Sequence, residues 1–336
     1  MATIKDIAKK AGVSITTVSR ALNGYSDVNE DTRKKIIETA KSLNYSPNTI
    51  ARSLVMKKSR TIGLLISGLM RESAKDNFMI EVMTGVNDFA SQTDYDIVLF
   101  NTNSSKQREK TYTQLCRERK VDGVIIQGIR TDDPYLEEVV EGEIPCVLVD
   151  IPKIGRYAGY VSSDNAAGSF EAGNYLAEAG HTNIGMINGH EYAFVSKERL
   201  TGFQKAMMEK GISFQADHIE NGDFTEESGE RAALTLLERD PAITALFCAS
   251  DLMAIGAMNG LRAKGYRIPE DISIVGYDNI LLSRYVQPSL TTIAQDTHGL
   301  GYEAAKMLVD MLDHDGKPRR TLVKHELIVR NSSIMR

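Results

Sequence analysis

The sequence predicts an α/β protein: an N-terminal all-α unit of short helices, then a larger domain of doubly wound parallel sheets. Three observations carry that reading. The first sixty residues combine helical apolar spacing with surplus positive charge. From Thr61 onward, short β-branched runs alternate with amphipathic stretches, the pattern of strands joined by helical crossovers. At 336 residues the chain is too long for one ordinary core and suits two or three.

The net charge of −5 hides an asymmetry. Residues 1–60 hold twelve Lys/Arg against five Asp/Glu, a net of +7, whereas the remainder hold twenty-eight against forty, a net of −12. A basic head on an acidic body is the electrostatic footprint of a nucleic-acid-binding module joined to something else. There is no apolar run of about eighteen residues, so no membrane-spanning helix is expected. The opening MATIKDIAKKAGVS has no unbroken apolar stretch behind a basic tip, which reads against a secretory signal. Cys116, Cys146 and Cys248 are scattered and never paired as CxxC, so buried free thiols in a reducing cytoplasm are expected.

Within the head, Thr3 and Asp6 form a capping-box start, and Ile4, Ile7, Ala8 and Ala11 fall on one helical face. Gly12 supplies the left-handed residue that ends this helix. Ser14 caps a second helix from Ile15 to Leu22, with Val13 stapled against Val18 and with Val18, Ala21 and Leu22 inward. Asn23-Gly24 breaks it, and a third helix follows Asn29 with Ile36, Ile37, Ala40 and Leu43 inward. Two short helices joined by a tight glycine turn are a helix-turn-helix. The second helix leaves Ile15, Thr16, Thr17, Ser19 and Arg20 outside, a small polar face with one long cation that suits a major groove. Arg20 has the donor geometry to read guanine.

Ser46-Pro47-Asn48 opens a further helical pattern through Ile50, Ala51 and Leu54 that dissolves into Lys57-Lys58-Ser59-Arg60. About ten residues are marginal as an isolated helix, so this segment reads as a switch that needs a partner.

The stretch TIKDIAKKAGVSITTVSRALNG…NEDTRKKI…LNYSPNTIARSL closely resembles the lactose/galactose repressor family over residues 2–56. That resemblance implies that Ile15, Thr16 and Arg20 read base edges, that Thr3, Ser19, Asn29, Thr32, Tyr45 and Asn48 hold phosphates, and that Leu54 wedges into the minor groove from a hinge helix ordered against its dimer mate. The implied partners are a pseudo-palindromic double-stranded operator and a second copy of the chain. The implied domains are 1–46 (head), 47–60 (hinge) and 61–336 (body).

In the body, TIGLLIS, DIVLFNT, GVIIQG, PCVLVD, NIGMING, ALFCASD and ISIVGYD read as parallel strands whose polar carboxyl ends are Ser67, Gln127, Asp150, Asn188, Asp251 and Asp278. Ligands of such sheets bind at those ends. The motifs VSKERLTGF (195–203), SDLMAIGA (250–257), ISIVGYDN (272–279) and PSLTTIAQD (288–296) extend the family resemblance to about residue 330. It implies a periplasmic-binding-protein-like body of two lobes joined by three crossings, the first at 61–161 and 293–320 and the second at 163–290 and 322–334. An effector would lie between them. Arg199 and Asp278 would be its principal binding pair, with Asp150, Ser196, Asp251 and Gln127 as further contacts and Phe78 as an apolar platform.

The expected effector is a sugar or sugar derivative. The alternatives are a purine-type corepressor or control by a phosphorylated carrier protein. Arg71 and Lys75, near the first strand's end, would suit an anionic ligand group but are equally read as solvated loop charges. The chain ends shortly after its last strand, without a heptad tail, so a dimer is expected.

No catalytic constellation is present: GxSxG, HExxH, a Walker loop and a post-strand GxGxxG are all missing. The six histidines lack metal-ligand spacing, and His181 reads as a turn residue. Neither enzyme chemistry, cofactor nor metal is expected. A doubly wound enzyme fused to the head is the disfavoured rival.

Overall fold

The computed structural model describes residues 2–22, 24–45, 58–67, 77–102, 110–314 and 316–336, and the chain divides into two compact units, Met1–Arg60 and Thr61–Arg336.

The head contains α1 (Ile4–Ala11), α2 (Ile15–Leu22) and α3 (Glu30–Ser42). Its start signals act as the sequence predicts. The Thr3 hydroxyl accepts from Asp6 N while Thr3 N donates to Asp6 Oδ2 at 2.8 Å, and Gly12 ends α1 at φ 71°. Thr17 N donates to Ser14 Oγ at 3.0 Å, starting α2. Ile7, Val18 and Ile36, one from each helix, are fully buried and form the centre of a small core with Ala8, Ala11, Ala21, Val28 and Ala40. Ile37 departs from expectation, being 38% exposed. The buried stripe of α3 is only wide enough for Ile36 and Ala40, and the next residue lies about 100° further round the helix.

The body opens with β1 (Thr61–Ser67), α4 (Phe78–Ala90), β2 (Asp96–Thr102), α5 (Tyr112–Arg119), β3 (Gly123–Gln127), α6 (Leu136–Glu141), β4 (Cys146–Val149) and β5 (Ala158–Ser163). Then follow α7 (Asn165–Glu178), β6 (Ile184–Asn188), α8 (Phe194–Glu209), β7 (Ile219–Asn221), α9 (Glu226–Arg239), β8 (Ala245–Cys248), α10 (Asp251–Ala263) and β9 (Ser273–Asp278). The chain closes with β10 (Thr291–Gln295), α11 (Thr297–Asp313), β11 (Arg320–Val323) and β12 (His325–Ile328).

Among the described residues the strands form two sheets, ordered β11-β5-β4-β3-β1-β2 and β12-β10-β9-β8-β6-β7. Every pair is parallel except β10 with β12. The two orders are the same winding repeated, and each reverses direction at its first strand, β1 or β6, where crevices open at the carboxyl ends. Central strands such as β3, β4 and β8 are buried along their whole length, as expected where helices cover both faces.

All three crossings between lobes lie later than the sequence boundaries placed them, and Ser163 belongs to the first sheet as the end of β5. Residues 293–295 belong to the second sheet as part of β10, and Leu322 and Val323 belong to the first as part of β11. The second and third crossings each sit at a single residue inside an extended run, Asp296 and Lys324, which nothing in the apolar pattern marks; Asp296 N donates to Lys324 O at 3.3 Å.

Cys116, Cys146 and Cys248 are buried free thiols, and burial pushes the first two up to about 12, so they stay protonated. His181 does not sit in an open turn. It is buried with its two ring nitrogens on Thr244 Oγ1 (2.9 Å) and Ser273 Oγ (3.0 Å), and burial lowers its pKa to about 4.

Helices α9 and α10 cross at reciprocal glycines: a methyl group at Gly256 would overlap the Glu226 carbonyl oxygen, and one at Gly229 the Met253 carbonyl. Gly256→Ala should therefore destabilise the body by ~1–3 kcal/mol. A calorimetric scan in which its melting transition does not move would contradict this crossing geometry.

Candidate functional site

The head's candidate reading surface is the outer face of α2. Because Val18 and Ala21 point inward, Ile15 (49% exposed), Thr16 and Arg20 point out together. Arg20 does not hang free: its Nη2 lies 2.6 Å from Asp27 Oδ2 and its guanidinium 4.7 Å above the Tyr25 ring. Around it, Ser19, Thr32 and Tyr45 are half-buried, and Asn29 is exposed with its Oδ1 accepting from Asp31 N at 2.9 Å, which leaves its amide N–H groups outward. Thr3 is exposed, but both its hydroxyl and its backbone N–H already donate to Asp6. Asn48, Leu54 and the hinge helix, together with Arg71 and Lys75, lie outside the described residues.

The body's candidate site is a cavity of about 240 Å³ at the carboxyl ends of both sheets. Of the polar strand ends read from the sequence, it gathers Gln127, Asp150 and Asp278, and Phe78 and Arg199 also line it. Ser67 and Asn188 do not.

Arg199 and Asp278 are 3% and 9% exposed and pair at 3.3 Å. The fork of Arg199 is largely committed within the protein: Nε donates to Asn165 Oδ1 (2.8 Å), Nη1 to Ala249 O (2.5 Å) and Nη2 to Asp278, while the guanidinium stacks 3.7 Å over Tyr277. Three of its donors are therefore engaged within the protein, one of them on Asp278. Asp278 Oδ1 also accepts from Gln295 Nε2 (2.5 Å), and Gln295 Oε1 accepts from Ser163 Oγ (2.6 Å). Ser163 and Gln295 end the strands that lead into two of the crossings, so the cavity acid is wired to the segments between the lobes.

Asp251 was expected in the cavity and is not there. It is fully buried, accepting from Thr292 Oγ1 (2.5 Å) and Ile280 N (2.9 Å), because the first residue of α10 turns its carboxylate toward the loop after β9. Ser250, one residue earlier, lines the cavity instead. Ser196 is buried on α8 one turn before Arg199, but it does not line the cavity.

Sequence reasoning missed His190 and Phe224, which lie in loops after β6 and β7 and pack edge to face at 5.3 Å, and Arg130, which stacks 4.1 Å over Tyr192. Burial, reinforced by Arg130, holds His190 below the ordinary histidine value, so it is neutral at pH 7. Among the described residues, its Nδ1 and the Oε1 of Gln127 are buried without a partner. Buried polar atoms are normally paired, so these two atoms mark where a ligand's polar edge would fit. Asp150 Oδ1 accepts from Ser162 Oγ (2.7 Å); burial raises the Asp150 carboxyl above the usual carboxylate range, with that bond and Arg199 opposing. Both cavity carboxylates stand on left-handed backbone, Asp150 at φ 59° and Asp278 at φ 109°, a strain that persists where function requires the placement.

Comparisons with known proteins agree with this two-part arrangement. Residues 3–48 match the bacterial regulatory proteins, lacI family, and residues 174–333 match a periplasmic binding protein-like domain. The chain is 35% identical over 336 residues to the HTH-type transcriptional repressor PurR of Vibrio cholerae serotype O1 (strain ATCC 39315 / El Tor Inaba N16961), covering 99% of this chain and 98% of the relative. PurR of Proteus mirabilis (strain HI4320) is 37% identical, covering 99% and 97%.

The chain belongs to the LacI family.

It is a DNA-binding transcriptional repressor of that family, and its relatives are repressors rather than enzymes. LacI-family repressors bind operator DNA and small-molecule effectors as dimers. In three dimensions the chain is similar to the lac repressor dimer bound to operator and the anti-inducer ONPF (TM-score 0.82, 27% identity, 99% of each chain). It is also similar to the transcriptional regulator CelR–cellobiose complex (TM-score 0.77, 32% identity, 99% of this chain and 100% of that one). Among the described residues no helix is long and apolar enough to cross a membrane.

The raised Asp150 pKa carries a stability consequence. Folding takes up a proton between the unfolded and folded values, so this group's contribution is most favourable below the unfolded value of 3.8 and is lost as pH rises through the folded one. Asp150→Asn should raise the thermal midpoint of the ligand-free body at pH 7, with the gain fading below pH 3.8. A variant that melts earlier than wild type at pH 7 would show that the charge is not a burden.

Proposed function

We propose that this repressor reads its operator with Ile15, Thr16 and Arg20 in the major groove, with Leu54 as a minor-groove wedge and Thr3, Ser19, Asn29, Thr32, Tyr45 and Asn48 on the backbone. In this reading a small molecule in the cavity sets operator affinity.

The observation that carries the effector reading is the composition of the cavity wall. Phe78 and Phe224 offer aromatic faces, Ile129, Val149 and Ile151 surround them, and acceptors at Asp150, Asp278 and Gln127 Oε1 stand beside the donors of Arg130 and Arg199. Such a site takes a compact flat ring whose edge carries both N–H or O–H donors and acceptors. The relatives named PurR, 34–37% identical along 99% of the chain, favour a purine base acting as corepressor over the sugar that the sequence suggested. A sugar or sugar derivative acting as inducer is the second reading, supported by the two carboxylates and by the likeness to a regulator solved with cellobiose. In either case the ligand shifts operator affinity only through its differential affinity for two lobe arrangements.

Thermal-shift titration of the full chain with hypoxanthine, guanine and adenine, beside glucose, galactose and cellobiose, separates the readings. A ligand at 100 times its Kd stabilises by about 2.7 kcal/mol. The purine reading expects a base to raise the midpoint and tighten operator binding, and Asp278→Asn to abolish both effects. Stabilisation by sugars alone, with weakened operator binding, would install the second reading instead.

A further inference from the structure

The contact between Arg20 and the loop that follows α2 has consequences for recognition. Tyr25 N donates to Arg20 O at 3.1 Å, which folds the loop back onto the end of the reading helix. From the other side Arg33 Nη2 donates to Tyr25 O at 2.6 Å and reaches Val28 O at 3.5 Å, while Val28 is 8% exposed in the head's core. The loop is thus pinned at both ends, and it presents the Tyr25 ring and the Asp27 carboxylate at a fixed place. Both meet one side chain, Arg20, the ring beneath its guanidinium and the carboxylate on Nη2.

Resting on the reading of Arg20 as the base contact, we infer that Tyr25 and Asp27 are positioning residues that make Arg20 selective for bases rather than phosphates. An unattached arginine on this face has a long flexible stem and is drawn to any nearby phosphate. Held through one N–H of Nη2 and stacked on a ring, it keeps one two-donor edge of its fork, completed by the other N–H of Nη2, for a bidentate contact, the geometry that distinguishes guanine in the major groove. The neighbouring carboxylate also offsets the charge that would attract a phosphate. As an exposed ion pair (Arg20 44% and Asp27 54% exposed) this contact adds little to folding, so its consequence falls on recognition.

The test is selection of binding sites from a randomised duplex pool by the full-length wild type and by Asp27→Asn, Tyr25→Leu, Tyr25→Phe and Arg20→Ala. Affinity for a selected duplex is then compared with that for a random-sequence duplex across salt. Asp27→Asn should lower the selected-to-random ratio at least tenfold, broaden base preference at the one half-site position that Arg20→Ala also broadens, and steepen the random-duplex salt slope by about 0.9. Tyr25→Leu should do the same more weakly, whereas Tyr25→Phe, which keeps the ring, should behave as wild type. Because both side chains are surface groups, an unchanged circular dichroism melt is expected throughout.

If Arg20→Ala changes the preferred sequence but Asp27→Asn leaves the ratio unchanged or raises it, the positioning role is wrong and Asp27 merely restrains the arginine. If Arg20→Ala alters no position, or the wild type selects no sequence, the base-contact reading falls and the positioning role falls with it.

Discussion

The carboxylate of Asp278 is the point on which the body's architecture turns. It is a charge held almost out of water, and it is tolerable there because Arg199 and Gln295 both donate to it. Each partner is itself committed elsewhere: Arg199 to Asn165, the Ala249 carbonyl and the face of Tyr277, and Gln295 to Ser163. Removing one member of a buried pair leaves the other unpaired at ~3–5 kcal/mol, so such a network holds or fails as a unit. Its members come from β5, α7, α8, the end of β8, β9 and β10, which means that the cavity floor and the segments between the lobes share one set of hydrogen bonds. A ligand that contacts Asp278 therefore acts on the lobe connection itself.

The backbone around this acid is held under strain by groups that never reach the cavity. Asp278 and Asn279 both adopt positive φ, at 109° and 56°. Asp251 accepts from Ile280 N, and Arg330 donates to Asn279 Oδ1 (2.6 Å), Ser283 Oγ (3.0 Å) and Leu290 O (2.7 Å), so the turn is over-determined from two sides. This explains why Asp251 falls inside a motif that resembles the family's without lining the cavity. Its work is to keep the turn that aims its neighbour. Residues strained in this way cost ~1–3 kcal/mol each and persist only when their surroundings enforce them.

How much of this was legible in the sequence follows from what generates each signal. Strands buried on both faces announce themselves as apolar runs, so TIGLLIS, GVIIQG and ISIVGYD were read with nearly their observed limits. The strand at Ala158–Ser163 reads AGYVSS, small and polar at its end, and those at Ile219–Asn221 and Arg320–Val323 are short edge strands, so no run marks them. Strand-end polarity located Gln127, Asp150 and Asp278, but it cannot say which way a side chain turns, and Asp251 turned inward. His190 and Phe224 lie in loops with no periodicity to betray them. Arg199 was visible only through the resemblance of its motif, and its fork proved to be engaged with the protein first. In the head, helix starts were legible because caps are local chemistry, whereas the Arg20–Asp27 contact joins residues seven apart across a turn and leaves no local trace.

The distribution of cavity groups between lobes explains how a small ligand can discriminate between lobe arrangements at all. Gln127 and Asp150 end strands of the first sheet, and His190, Ser250 and Asp278 follow or end strands of the second. At the rim the lobes already touch, with Thr131 N donating to Tyr192 O at 2.8 Å and Arg130 stacked on the Tyr192 ring. A ligand that pairs Gln127 Oε1 on one side and His190 Nδ1 on the other gains both bonds only while the lobes stand at this separation. If they part, it keeps one set of contacts and exposes the rest. That difference in binding free energy is the whole of the signal such a cleft can transmit, and it scales with the number of groups satisfied on both faces, not with affinity for either face alone.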